Sequence, residues 1–191
     1  MSRSENEIFE SFKVEHSDDG LRFREWWRRQ WFDQITDYFE RKWSLIPCGK
    51  FSKRPLAGFE WSKRELSYEE AIYYAGMGLN MAVKAGTLSI LDIDSDSKRP
   101  FDTRTLTMRT PKGYQFFTTG EPTAKDQIVA KDLGFDTIRH GVMFSLIPLS
   151  RTCVFDRGGK CNCLVHDFRF REWINFGAEA LPLRKVLRDL V

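Results

Sequence analysis

Asp92-Ile93-Asp94 closes an apolar run, Met81 to Leu91, in a chain of 191 residues. Residues two apart on a strand point to the same face, so this order sets two carboxylates side by side at a strand end. Like charges so placed repel, and either a divalent cation between them or contact of both with water relieves the repulsion. A third acid, Asp136, opens another strand-like segment, Phe135-Asp136-Thr137-Ile138-Arg139. Three acids on neighbouring strands supply hard oxygen ligands for Mg²⁺ or Mn²⁺, as a two-metal phosphoryl-transfer site requires, with substrate phosphates completing the shell. The plainer alternative is a strand end that reaches solvent, with Asp96 continuing a polar loop.

Cations stand where such a site would need them. Lys50, Lys53 and Arg54 lie in a basic loop, Gly49 to Leu56, that could reach a triphosphate or a template backbone. A solvated loop is the equal alternative. Arg139 and His140 directly follow the third acid and could face the same place. His16, in a polar stretch, reads as surface.

Cys153, Cys161, Cys163 and His166 fit the spacing C-x7-C-x-C-x2-H. The intervening Phe155 to Lys160 reads as a hairpin tip that returns Cys153 to the other three. Four such ligands suit a tetrahedral, structural Zn²⁺; unliganded reduced thiols on a β-hairpin are the alternative. Cys48 stands apart and reads as a small buried residue.

The elements that must position these groups are legible in outline. With 41% hydrophobic and 30% charged residues the composition is that of an ordinary globular domain. The formal net charge of +3 suits a polyanionic partner without selecting one. No apolar run approaches the ~20 residues of a membrane helix, and Met1 to Glu7 lacks the apolar core of a secretory signal. A cytoplasmic protein with no membrane partner is expected.

Residues 5–43 read as helical, broken near Asp18-Asp19-Gly20, with Phe23, Trp27, Trp31, Ile35 and Tyr38 or Phe39 forming one apolar stripe. Arg22, Arg24, Arg28 and Arg29 lie among Trp26, Trp27 and Trp31. That mixture serves either base stacking with phosphate contacts or core packing with solvated arginines, and packing is the commoner use.

Ser44 to Cys48 predicts a short strand, and Ser67 to Ala75 a helix with Ser67 and Glu70 as a capping box. Met81 to Leu91 predicts two short strands joined by a turn. Thr105–Thr110 and Tyr114–Thr119 predict a hairpin around Pro111-Lys112-Gly113. A short helix is expected over Lys125 to Leu133, strands over Asp136–Arg139 and Val142–Ile147, and an amphipathic helix over Pro182 to Val191. Helices alternating with short strands point to an α+β fold.

The order of these motifs resembles the bifunctional primase-polymerase (prim-pol) domains of the archaeo-eukaryotic primase superfamily. Ile46-Pro47-Cys48-Gly49-Lys50, Lys53-Arg54-Pro55-Leu56 and Trp61 resemble the family's opening, and Leu91-Asp92-Ile93-Asp94 its first metal motif. Thr110 to Phe116 is similar to the second motif, and Asp136 to Gly141 with Ile147 to Ser150 to the third and the strand behind it. The resemblance spans roughly residues 36–150.

It implies a prim-pol-like core with a mixed or antiparallel sheet flanked by helices. The expected organisation is a helical extension over 1–43, the catalytic core over 44–150, and a zinc hairpin with a C-terminal helix over 151–191 in the same domain. The implied activity is that of a DNA primase and/or DNA polymerase, a template-dependent nucleotidyltransferase. Asp92, Asp94 and Asp136 would be its catalytic metal ligands for Mg²⁺ or Mn²⁺. Its partners would be a DNA template and primer, NTP or dNTP, and a helicase or other replication protein.

Gln115 departs from the pattern, which has histidine there. A glutamine can donate to a phosphate oxygen but carries no charge. Losing one cationic donor would cost about two to three decades in rate. Lys112 or His140 could take over the contact, or the fold could bind nucleic acid or nucleotide without turnover. A metal-dependent nuclease uses similar acids and is a further alternative.

Overall fold

The computed structural model describes residues 18–94, 104–148, 150–153 and 168–191. They form an α+β fold in which one open sheet lies between two helical layers. No helix among them is long and apolar enough to cross a membrane.

Helix α1 (Asp18–Glu40) buries Trp31, Ile35 and Tyr38, a stripe at three-to-four spacing. The packing reading thus holds for Trp31; the side chains of Phe23, Trp26, Trp27 and the arginines up to Arg28 lie outside the described set. The helix ends in a Schellman-type turn. Lys42 is left-handed (φ 58), its N–H donates to Phe39 O and that of Trp43 to Tyr38 O, both at 2.9 Å.

That turn delivers Trp43, which stacks on Tyr38 and on Phe117 of the sheet. The phenol of Tyr38 donates to Gln34 Oε1 and accepts from Trp173 Nε1 at 2.8 Å, so its polar atom is satisfied in the core.

Strand β1 (Leu45–Cys48) leads through a doubled-back loop to helix α2 (Tyr68–Gly76). The expected capping box of Ser67 and Glu70 is present at its start. Strand β2 (Asn80–Ile93) follows, and it corrects an expectation: it is one strand of 14 residues, not two joined by a turn. Gly86 (φ +52) lies opposite Gly141 (φ +66) of β5 (Thr137–Leu146), and the register shifts on either side of them. The two glycines thus make bulges that bend a continuous ladder, where the sequence suggested reversals. β5 is likewise one strand over the two predicted segments.

Strands β3 (Thr107–Arg109) and β4 (Tyr114–Thr119) form the predicted hairpin, and helix α3 (Ala124–Asp132) the predicted short helix. β6 (Arg151–Cys153) pairs with β7 (Phe168–Phe170) as a separate ribbon. β8 (Glu172–Trp173) and β9 (Leu181–Pro182) return to the main sheet, and helix α4 (Leu183–Asp189) ends the chain.

The main sheet runs β1-β2-β4-β3-β8, with β5 on the other side of β2 and β9 beside β4; only the β4–β9 pair is parallel. One face packs Trp43, Ile90, Met108 and Phe117 against α1 and α2. The other packs Leu91, Phe116 and Ile138 against α3 and α4. Alternation along β2 and β4 accounts for this division, with Ile90 and Phe117 on one side and Leu91 and Phe116 on the other. Arg41, just after α1, donates to Phe176 O and Ala178 O, tying the end of α1 to the segment between β8 and β9.

Candidate phosphate-binding site at the sheet end

The sheet aligns one row of residues across five strands. Trp173 pairs with Met108, Met108 with Gln115, Gln115 with Asp92, and Asp92 with Thr137. Asp92 and Gln115 therefore share a face because antiparallel partners point the same way. Arg139, two residues on from Thr137, joins that face.

Asp92 is buried, at 4% exposure. Its Oδ1 accepts from Gln115 Nε2 at 3.1 Å, and its Oδ2 from Arg139 Nε at 3.2 Å and also from Arg139 Nη2. The other end of the Gln115 amide accepts from the Ser145 hydroxyl. Gln115 is thus a spacer between a strand-borne serine and the central acid, with both amide atoms engaged.

Asp94, exposed, and Asp136 lie at the strand ends beside it. The Asp136 N–H donates to Asp92 O at 2.8 Å, and its carboxylate accepts from the Asp94 N–H at 2.6 Å. The three acids predicted from the sequence are therefore neighbours. They are not yet a ligand cage: register places Thr137, rather than Asp136, opposite Asp92. Among the described residues no three His, Cys, Asp or Glu side chains are grouped as metal ligands. The donor set fits Mg²⁺ or Mn²⁺ in kind, being all oxygen; the contact between Asp94 and Asp136 runs through the Asp94 backbone N–H, and Asp92 is closed by Arg139.

Cations gather on the same end. The β1–α2 loop is pinned by Gly49 N to Arg54 O (2.8 Å), by Arg54 N to Ser52 Oγ (3.0 Å) and by Asn80 Nδ2 to Ser52 O (2.9 Å). It carries Lys53 to the site. The ammonium pKa of Lys53 is lowered by desolvation first, then by Arg171, Lys112 and Arg139, with Asp94 opposing. Lys53 is nonetheless solvent-exposed, so the effect is screened.

Lys112 tops the β3–β4 turn, where Thr110 Oγ1 accepts from the N–H groups of Lys112 and Gly113 at 3.3 and 3.1 Å. Arg171 is buried, and its pKa is pushed down to about 10 by desolvation and then by Arg139, with Asp92 and Cys48 opposing.

Other predicted site residues fall elsewhere. His140 Nδ1 is at 3.0 Å from Leu88 O and 3.3 Å from Ser89 Oγ, and its Nε2 faces Glu121 at 3.9 Å. The imidazole is therefore held beside the Leu88–Ser89 stretch of β2 and does not join Asp92. Lys50 lies 6.0 Å over the Phe51 ring, and Lys50 and Arg54 are both exposed.

Cys153 ends β6, whose pairing with β7 gives the base of the expected hairpin. The Cys153 side chain, Cys161, Cys163 and His166 lie outside the described residues, and the zinc expectation with them. Cys48 is wholly buried, as expected, with its thiol pKa pushed up to about 12 by desolvation.

Two contributors escaped the sequence reading. Ser145 had a signal, a lone hydroxyl in the apolar strand Val142 to Ile147. Arg171, in Phe168-Arg169-Phe170-Arg171, had none that separates it from Arg169. No protein-family model matches the chain, and no curated protein matches it.

Proposed function

We propose that this chain is a template-dependent nucleotidyltransferase of the prim-pol type, a DNA primase and/or polymerase acting on NTPs or dNTPs. The observation that supports this is the meeting of Asp92, Asp94 and Asp136 with Lys53, Lys112, Arg139 and Arg171 at one end of one sheet. Phosphoryl transfer is mostly positioning and charge stabilisation, and such a mixed cluster provides both.

Lys53 and Lys112, on loops, would neutralise and orient the triphosphate. Arg139 balances the charge of Asp92 and would turn to a phosphate oxygen when that acid is needed. Asp94 and Asp136, with Asp92 once released, would hold the divalent ions. Bound there, Mg²⁺ or Mn²⁺ would supply the lowered pKa of a primer 3′-hydroxyl and charge stabilisation of leaving pyrophosphate.

One observation favours a second reading, a prim-pol-like fold that binds nucleotide or nucleic acid without turnover. Gln115 stands where the family has histidine, and both its amide atoms are already engaged within the protein. A labelled primer-template with dNTPs and Mn²⁺ separates the readings. Lengthening supports transfer, retention of the strand without lengthening supports the second reading, and shortening indicates a nuclease.

A further inference from the structure

Arg171 is 8% exposed, and its Nη1 has no hydrogen-bond partner among the described residues. A guanidinium cannot shed its charge, so an occluded, unpaired N–H is an unusual expense in a folded chain. The carboxylate that acts on it among the described residues, Asp92, already accepts from Arg139 and Gln115. The remaining neighbours make the position worse: Arg139 and Lys53 are cations.

Backbone placement explains why Arg171 is there. β8 pairs Trp173 with Met108 and Glu172 with Arg109. Arg171 directly precedes that pair, on the side where Arg109 leads into the turn that carries Lys112. The row of Trp173, two residues on, is that of Gln115 and Asp92. Arg171 thus approaches the sheet end from the β8 side, Arg139 from the β5 side and Lys53 from the β1–α2 loop.

We infer that Arg171, with Arg139 and Lys53, forms a seat for a phosphate group, and that the free Nη1 of Arg171 is its central donor. A phosphate oxygen would complete the unmade hydrogen bond and offset the mutual repulsion of the three cations. The seat is metal-independent, since every donor belongs to the chain. It deepens the function proposed above and rests on that reading only for what the phosphate belongs to, a nucleoside triphosphate or a nucleic-acid backbone.

The test is calorimetric titration of the full chain with inorganic tripolyphosphate in EDTA, with dTTP and a single-stranded oligonucleotide lacking terminal phosphate as parallel arms. Wild-type protein is expected to bind tripolyphosphate. Arg171→Met should weaken that binding about 10- to 100-fold, the effect of one charge-assisted hydrogen bond. Arg171→Lys, which keeps the charge but loses the fork, should fall between and carries the test if the methionine variant does not fold.

Loss of dTTP binding assigns the seat to the triphosphate, and loss of oligonucleotide binding alone assigns it to the strand. A structural role would lower the melting temperature and spare binding. The proposal instead expects a melting temperature at or above wild type, because an unpaired buried charge has gone. Absence of tripolyphosphate binding by wild type, or equal binding by both variants, overturns it. Primer extension does not enter this outcome, so a chain that never extends a primer can still possess the seat.

Discussion

Arg139 on β5 reaches across to Asp92 on β2, donating from Nε to Oδ2 at 3.2 Å and from Nη2 to the same oxygen. The acid side chain is 6% exposed and the arginine 32%, so the pair is only partly shielded from water. Removing one partner of a buried pair costs about 3–5 kcal/mol. With a third of the arginine exposed, about 2 kcal/mol is expected for Arg139→Met, because Asp92 is then left charged and occluded. Asp92→Asn should cost less, and adding it to Arg139→Met should recover part of the loss. Urea melts of the two single variants and the double variant measure the coupling; strictly additive effects would mean that the pair is not an energetic unit.

Gln115 predicts two opposite substitutions. Gln115→Leu leaves Asp92 Oδ1 and the Ser145 hydroxyl without their partner and should cost about 1–3 kcal/mol. Gln115→His should fold nearly as well, since a neutral imidazole offers one donor and one acceptor. It also supplies a group able to carry charge, so primer extension should rise about 100- to 1,000-fold, the worth of a preorganised donor. An unchanged or lower rate in a well-folded Gln115→His protein would separate Gln115 from catalysis.

The α3 cap gives a test of the fold alone. Thr123 Oγ1 accepts from the Asp126 N–H at 3.2 Å, and the Asp126 carboxylate accepts from the Thr123 N–H at 2.8 Å. Thr123→Ala removes one half of this box and should cost about 1 kcal/mol, or roughly 2–4 °C in Tm for a chain of this size. A Tm equal to wild type would show that α3 is held by its packing on the sheet and α4 rather than by its cap.

Alkaline stability reports on Cys48. Its folded thiol pKa is pushed up to about 12 from an ordinary 9, chiefly by desolvation, with Arg171 opposing. Between these values the unfolded chain gives up a proton that the folded chain keeps. The unfolded state then binds fewer protons, so stability falls as pH rises from about 9 towards 12, by up to about 1 kcal/mol per unit. Tyr38, whose phenol is also raised by burial, adds the same sign from about pH 10. Urea melts at pH 8, 9.5 and 10.5 should show a shallower decline for Cys48→Ala than for wild type. Equal declines would place the titration on other groups.

The parts of this molecule legible in its sequence are those set by local rules. The α2 start followed from Ser67 and Glu70, the β3–β4 hairpin from Pro111-Lys112-Gly113, and the apolar stripe of α1 from its spacing. The glycines at 86 and 141 were misread because a positive-φ residue serves a bulge as readily as a turn. Only pairing with the neighbouring strand decides between them, and that pairing is not local.

In the candidate site, Asp92, Asp94 and Asp136 were found as neighbours because strand order and spacing constrain acids at strand ends. That Arg139 faces the same place followed from its position after Asp136; that it closes Asp92 there did not. Arg139 reaches it through register across two strands, and Arg171 arrives from beyond the described ribbon of β6 and β7. His140, one residue from Arg139, falls elsewhere because the bulge at Gly141 and strand alternation turn it towards Leu88.

Asp94 is exposed and Asp136 is anchored mainly by the backbone of its neighbour, so their removal should disturb the fold far less than loss of Asp92. The most direct measurement is therefore gel-resolved extension of a labelled primer on a template with Mn²⁺ and dNTPs, comparing wild type, Asp94→Ala and Asp136→Ala at matched Tm. The account predicts template-directed lengthening by wild type and loss of at least about 100-fold in each variant. Lengthening that persists undiminished in both variants, or its absence from wild-type protein with either Mn²⁺ or Mg²⁺, would contradict a nucleotidyl-transfer role for this sheet end.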